Sequence, residues 1–331
     1  MSKRFDNRKL IYILASLLAL LALTVLIKIP KERATLKERI VDFDITEVSE
    51  IVIYPQRSDG QAVEFSRAGN IWNVQQGNIV SPSRQYEVDN ILTEILSIRP
   101  QNLVSKSKLK WTEFHVSDST GTRIKIVDKK GKTLADIVVG RFSYKQISSP
   151  MSMYGSNNIQ GTSYVRLTGE DEVYGVEGFL SLSFNRTFND WRDNTLLEFS
   201  KNDVTNIRFT YPADSSFTLS LRDSKWFLDN MPADSANVES FLTSLSNADG
   251  QEFNDNFKPD VNPDYQLLIE GNNLLNISVK GYKGADGEII INSSLNPGIY
   301  FNSKPEGVSG RIFKSKRDFI EILSFISLPS F

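Results

Sequence analysis

From residue 42 onward the chain repeats itself, and this repeat constrains the fold more than any other feature. Asp42-Phe43, Val48, Ile51 and Ile53 recur as Glu198-Phe199, Val204, Ile207 and Phe209 at a constant offset of 156 residues, the signature of an internal duplication. Each copy continues with an alternating segment, Val63-Glu64-Phe65 or Phe217 to Leu221. A Trp-led segment follows, Trp72-Asn73-Val74 or Trp226-Phe227-Leu228. Apolar residues alternating with polar ones, rich in β-branched and aromatic types, predict half-buried strands, and Ala68-Gly69-Asn70 and Asp223-Ser224 supply turns.

One helix follows in each copy. Val88, Ile91, Leu92 and Ile95 obey the i, i+3, i+4, i+7 rule, as do Val238, Phe241, Leu242 and Leu245. Pro82-Ser83 and Pro232-Ala233-Asp234 offer rigid starts and capping oxygens, which sets the helices at 84–98 and 234–247, and Pro100 and Gly250 stop them. Strands then return around Ile124/Ile126 and Leu134/Ile137/Val139, joined by the turn Asp128 to Gly131. In the second copy they return around Leu267/Ile269, Ile277/Val279 and Ile289/Ile291. Each copy is read as ending in an aromatic strand, Tyr164-Val165 or Tyr300-Phe301. Strands, one helix, then strands predict an α+β fold of two mainly antiparallel sheet domains.

Ahead of the repeat, Leu10 to Ile27 is a run of 18 residues without a charge. As a helix it would span about 27 Å, close to the roughly 30 Å hydrocarbon core of a bilayer. The run exceeds the apolar core of a cleaved signal and leaves through Val25-Leu26-Ile27-Lys28-Ile29-Pro30, with no pair of small residues to cleave. It is read as a single-pass anchor. Four Lys/Arg among the first nine residues favour a cytoplasmic N-terminus, with the C-terminal mass on the periplasmic side of a bacterial inner membrane. The organisation expected is a cytoplasmic tail 1–9, an anchor 10–29, a charged stalk 30–41, a first repeat 42–183 with an inserted loop 145–162, a connector 184–197 and a second repeat 198–331.

Composition removes most chemistries. The chain has no Cys and one His, His115, which excludes disulfides, thiolate metal sites, a lipobox and a Cys nucleophile. Residues 1–29 carry a net charge of +4 and the remainder −6, so no basic footprint for nucleic acid exists. Gly131-Lys132-Thr133 lacks the upstream glycine of a phosphate loop, since Ile126 stands there. Ser105 and Lys108 fall in a polar stretch read as a solvated linker, and Asp255, Asn256, Asp260, Asn262 and Asp264 lack calcium-loop spacing. His115, between Phe114 and Val116, is placed on a strand edge in a structural role. Three sequons begin at Asn185, Asn276 and Asn292 and have meaning only in a eukaryotic secretory pathway. No catalytic residue, metal site or cofactor is expected. Two segments stand outside the repeat: the connector with Trp191-Arg192-Asp193, read as a clamp between domains, and the polar insertion. Met151, Met153 and Tyr154 in the insertion are the candidate partner contacts, because Met adapts to varied surfaces and Tyr gives large contact area.

An anchor followed by two strand–strand–Trp-strand–helix units resembles the bacterial family called domain of unknown function 4340. The residues that carry this are Trp72 with Pro82 to Leu96, Trp226 with Met231 to Leu245, Val138-Val139-Gly140-Arg141 and Trp191-Arg192-Asp193. Phe114-His115-Val116-Ser117-Asp118 stands where that family often has an aromatic-Gly-Leu-Asp segment, with His115 in the glycine's place. The resemblance implies an envelope protein linked to ABC transport systems of the gliding-motility type, and no catalytic residues. The expected function is that of a non-catalytic accessory or scaffold whose partners are the inner membrane and the membrane subunits of such a complex. The alternatives are a periplasmic binding module for glycan, peptide or lipid and, third, a membrane-tethered hydrolase.

Overall fold

The computed structural model describes residues 12–21, 36–56, 61–147 and 158–320. Residues 12–21 form helix α1, which at about 1.5 Å per residue rises about 15 Å, half of a hydrocarbon core. Among the described residues no helix is long and apolar enough to cross a membrane. The rest of the uncharged run lies outside the described residues. Beyond it the chain divides into two compact units, between Trp191 and Arg192.

The first unit is a nine-stranded sheet. Its strands are β1 (Val48–Tyr54), β2 (Val63–Ala68), β3 (Ile71–Gln76), β4 (Ile79–Pro82), β5 (Pro100–Ser105), β6 (Thr122–Asp128), β7 (Thr133–Ile147), β8 (Asn158–Leu167) and β9 (Val173–Glu177). They lie side by side in the order β4-β3-β2-β1-β6-β7-β8-β9-β5. Helix α2 (Gln85–Ser97) follows β4 and turns Val88, Ile91, Leu92 and Ile95 onto one buried face, as its periodicity predicts. Each such side chain contributes about 1.5–3 kcal/mol when removed from water. They pack with Ile51, Ile53, Phe65, Trp72, Val74, Ile124, Ile126, Ile137 and Val139 in one core. The sequence places capping at Ser83, but the N-cap is Arg84, without a side-chain cap. Ser83 instead donates its hydroxyl to the Trp72 carbonyl, and the Gln85 amide both accepts from the Trp72 N–H and donates to its carbonyl. The start of the helix is thereby tied to the Trp-bearing strand. Ile40 and Val41, assigned by sequence to the stalk, are buried in this core.

The second unit begins with β10 (Thr195–Glu198), which pairs with β15 (Asn247–Asp249) in a small sheet of its own. Its main sheet comprises β11 (Val204–Thr210), β12 (Phe217–Arg222), β13 (Lys225–Leu228), β14 (Met231–Pro232), β16 (Glu252–Phe253), β17 (Tyr265–Gly271), β18 (Ile277–Lys283), β19 (Ile289–Ser293) and β20 (Phe301–Ser303). The order β14-β13-β12-β11-β17-β18-β19-β20-β16 reproduces the first sheet strand for strand. Helices α3 to α5 belong to the first unit: Trp111–Phe114, Leu180–Phe184 and Phe188–Trp191. Helix α6 (Ser235–Leu245) occupies the place of α2 and is capped at Asp234, whose carboxylate accepts from the N–H groups of Ala236 and Asn237. Asp234 replaces the uncapped Arg84, a difference worth about 1 kcal/mol. A short helix, α7 (Val308–Ile312), closes the unit.

Register makes the duplication explicit. Ile51 pairs Phe65 and Ile126, and Ile207 pairs Leu219 and Ile269. The same irregularity interrupts both sheets, between Val48 and Glu50 and between Val204 and Asn206. Trp72 faces Arg67 and Trp226 faces Leu221 at matching positions, and both Trp side chains are buried in the cores of their own units. The expectation of a common aromatic last strand needs correction. β8 with Tyr164 is followed by β9, so the counterpart of Phe301 on β20 lies on β9, where Tyr174 is buried.

Candidate functional site

Met151, Met153 and Tyr154 lie outside the described residues, but the strands on either side of them are described and alter the picture of a structureless insertion. Lys145–Ile147 belongs to β7, and residues 158–162 belong to β8. β6 pairs with β7 only as far as the couple Thr122 and Val139, and β9 pairs with β8 only as far as Thr162. Gly161 still accepts from the Gly178 N–H, and beyond it, from Tyr144 to Ile147 and from Asn158 to Gln160, the two strands pair with each other alone. They form a two-stranded arm running beyond the sheet. Tyr144 and Ile159 are carried on one face of it, 68% and 57% exposed.

A β-bulge sets the arm apart from the sheet. The register of β7 on β8 shifts between the couple Val139 and Val165 and the couple Phe142 and Ser163, which leaves Gly140 and Arg141 opposite Tyr164. Ile137 and Val139 face the main core, while Val138 faces a second cluster with Phe114, Val116 and Val173. Strict alternation would return Arg141 to the side of Val139. The extra residue turns it toward the second cluster instead, where its guanidinium lies 5.0 Å from the ring centre of Tyr164. Bulges commonly re-aim a side chain in this way.

The turn from Trp111 to Gly121 covers that second cluster. Helix α3 ends at His115, which is not on a strand edge as the sequence reading placed it. It adopts the left-handed conformation, φ 54° and ψ 37°, where glycine is at ease and other residues are strained. The turn sits so close to the sheet that a Cβ on Gly140 would fall 2.1 Å from the Phe114 carbonyl oxygen, and one on Gly121 would fall 2.9 Å from that of His115. Arg166, 2% exposed, donates through Nε to the Val116 carbonyl at 2.9 Å and through a terminal nitrogen to Asp118 at 2.6 Å, and it stacks on Trp111 at 3.8 Å. Arg141 adds a contact of its own, Nε to the Glu113 carbonyl at 2.8 Å. The structure thus brings together the segments 114–118 and 138–141, far apart in sequence. An isolated glycine inside a strand pattern was the available signal for a bulge or a close backbone approach; composition and motif searches gave Arg141 no role.

At the base of the arm, where a longer β6 would have continued, lies a cleft of about 220 Å³. Its walls include His115, Thr122, Arg141, Phe142 and Ser181, and among the described residues none that lines it is Asp or Glu. Phe142 is held edge-on by Phe179 at 5.1 Å, whose ring covers Gly161. The nearby carboxylates have other partners: Glu113 pairs with Lys110 at 2.7 Å and Asp118 with Arg166. On β7 itself, burial pushes the Asp136 carboxyl up. The Arg123 guanidinium, with the Thr168 hydroxyl, outweighs that and leaves it below the usual range.

The remaining sequence candidates do not assemble into a site. Gly131 occupies a hairpin turn in which Asp128 accepts from the N–H groups of Lys130 and Lys132. Ser105 accepts from the Ser107 N–H, while Lys108 rests over Trp111 at 4.9 Å. Asp255 is committed to both terminal nitrogens of Arg192, which is 1% exposed and stacked on Phe253 at 3.7 Å. Asp264 accepts from the Lys283 N–H. Among the described residues no group of His, Asp or Glu could hold a metal ion. The connector is not a free tether, since Trp191 packs edge-on against Phe65 at 5.5 Å within the first unit and Arg192 is locked within the second.

No curated protein and no solved structure matches the chain. The family model described as a domain of unknown function, number 4340, matches residues 72–268, from Trp72 on β3 to Leu268 on β17. This is more than half of the chain and includes the Trp111–Gly121 turn, the bulge and the arm. The chain belongs to the family of domain of unknown function 4340.

Proposed function

We propose that this chain is a non-catalytic, membrane-anchored accessory or scaffold subunit, working by contact on the periplasmic side of a bacterial inner membrane. Its partners would be the membrane subunits of an ABC-type transport or gliding-motility-type complex. The observation that carries the reading is the arm of β7 and β8, whose outer part, residues 144–147 with residues 158–160, has no further strand beside it and exposes Tyr144 and Ile159 on one face. A two-stranded ribbon with an aliphatic and an aromatic side chain in water gains more by docking than by standing free. The uncharged run at 10–27 supports the membrane placement; the transport setting is what the sequence resemblance implies.

The test is purification of the full chain from its native membrane in mild detergent, with mass spectrometry of what accompanies it. Membrane subunits of a transport complex should co-purify with the native chain and be depleted with the double variant Tyr144→Ser/Ile159→Ser, whose melting temperature should be unchanged. Recovery of no stable partner, or of the same partners in the same amounts with the variant, would overturn the reading. A reporter fused after Phe331 should be active only outside the cytoplasm, and activity inside would overturn the orientation. A periplasmic binding module is the second reading, favoured by the cleft at the base of the arm.

A further inference from the structure

The geometry points to the cleft between the β7 bulge and the Trp111–Gly121 turn as a binding site for a small oxyanion, a carboxylate or phosphate group, with Arg141 as the residue that grips it. Three observations meet there. The first is the state of Arg141. Its guanidinium is fixed by the aromatic rings of Tyr164 and Phe114, at 5.0 and 5.7 Å, and by the single bond from Nε to the Glu113 carbonyl. Among the described residues it forms no ion pair; both carboxylates of the adjoining turn are engaged by Lys110 and Arg166. A planar fork already held in place loses little freedom when two oxygens approach it, the arrangement that suits carboxylate and phosphate.

The second observation is the sign of the lining. The portion of the chain after residue 29 is net acidic, yet among the described residues this cleft is lined by Arg141 and His115 and by no Asp or Glu, with hydroxyls from Thr122 and Ser181, that of Thr120 being engaged by Ser117. Hydroxyls donate to an anion without bringing a competing charge. The third is size. About 220 Å³ equals the liquid volume of roughly seven waters, which accommodates an anionic group with a short carbon stem, any larger remainder lying outside the cleft. Val139 and Phe142 supply an apolar wall for such a stem. The bulge is what joins these features, because without the extra residue Arg141 would point to the core side of the sheet.

The experiment is isothermal titration of the full chain in detergent with succinate and, separately, inorganic phosphate, with chloride as the control. At least one of the two oxyanions should bind at a single site with an affinity of about 1 mM or tighter, and the preferred one names the source of the anion. Arg141→Gln should weaken that binding about tenfold or more, and Arg141→Lys, which keeps the charge and loses the fork, should weaken it less. Ser181→Asp, which leaves Arg141 and its contacts in place, should abolish binding by adding a carboxylate to the rim. This second variant keeps the test decisive should Arg141→Gln unfold. Absence of saturable binding by both oxyanions, equal displacement by chloride, or undiminished binding in the folded variants would overturn the site. None of these results bears on the arm, so its partner contact stands or falls separately.

Discussion

Replacing Gly140 by Ala perturbs the site by a single methyl group. The new Cβ would stand 2.1 Å from the Phe114 carbonyl oxygen, 2.9 Å from that of His115 and 2.7 Å from Val116 Cγ1. The two oxygens belong to the backbone and cannot rotate aside, so the Trp111–Gly121 turn must lift from the sheet by about 1 Å to restore ordinary contact. Overpacking of this kind costs about 1–3 kcal/mol. The lift also strains the Arg141 bond to Glu113 and the Arg166 bond to Val116, and charged hydrogen bonds contribute about 1.5–3 kcal/mol each when intact. A partial loss of these places the total near 3 kcal/mol, at the upper end of the overpacking range. For a unit of this size that corresponds to a fall of about 6–12 °C in melting temperature. Calorimetry of the full chain in detergent reads it, with Gly284→Ala in the second unit as control. The nearest atom to a Cβ there is 3.4 Å away, an ordinary contact, so its change should stay within about 0.5 kcal/mol. If Gly140→Ala melts with the native protein, the turn is not seated on the bulge and the cleft is not built as described.

Other outcomes follow from the same structure. His115→Gly should stabilise the first unit by about 0.5–1 kcal/mol in urea unfolding, because it relieves a non-glycine residue at φ 54°. Asp136 has its folded pKa held below the ordinary 3.8, burial opposing and the Arg123 and Thr168 hydrogen bonds prevailing. Its contribution to stability is therefore complete above about pH 4 and lost as acidification passes through the lower folded value; Asp136→Asn should flatten that portion of the stability–pH curve. Asp255→Ala deprives the buried Arg192 of its carboxylate and should destabilise the second unit by about 2–3 kcal/mol in chemical denaturation. Tyr144→Ser, on an exposed strand, should change stability by less than about 0.5 kcal/mol in the same assay.

Where a residue had a buried face to write itself into, sequence periodicity found it. Val88, Ile91, Leu92 and Ile95 read as a helix because all four meet the core, and the offset between Ile51 and Ile207 survives because both occupy the same rung of their sheets. The arm was illegible for the converse reason. Lys145, Gln146 and Gln160 pair as strands with no buried side chain among them, so no alternation marks them and the segment reads as loop. His115 was misplaced because a left-handed residue ending a four-residue helix leaves no period behind. Arg141 was passed over because its significance lies in register: only the shift against β8 turns it away from the core. The capping role of Ser83 failed in a similar way, the hydroxyl being claimed by Trp72 across the chain.

The central claim, that the arm is the contact surface, is most directly tested by photo-crosslinking in intact native membranes. A photoreactive residue is placed in turn at positions 144 and 159, and at Leu109 and Leu275, which are 92% and 87% exposed and lie off the arm. The account predicts one discrete adduct with a membrane subunit from positions 144 and 159 and none from Leu109 or Leu275. Adducts of equal yield from all four positions, or none from the arm, would contradict it.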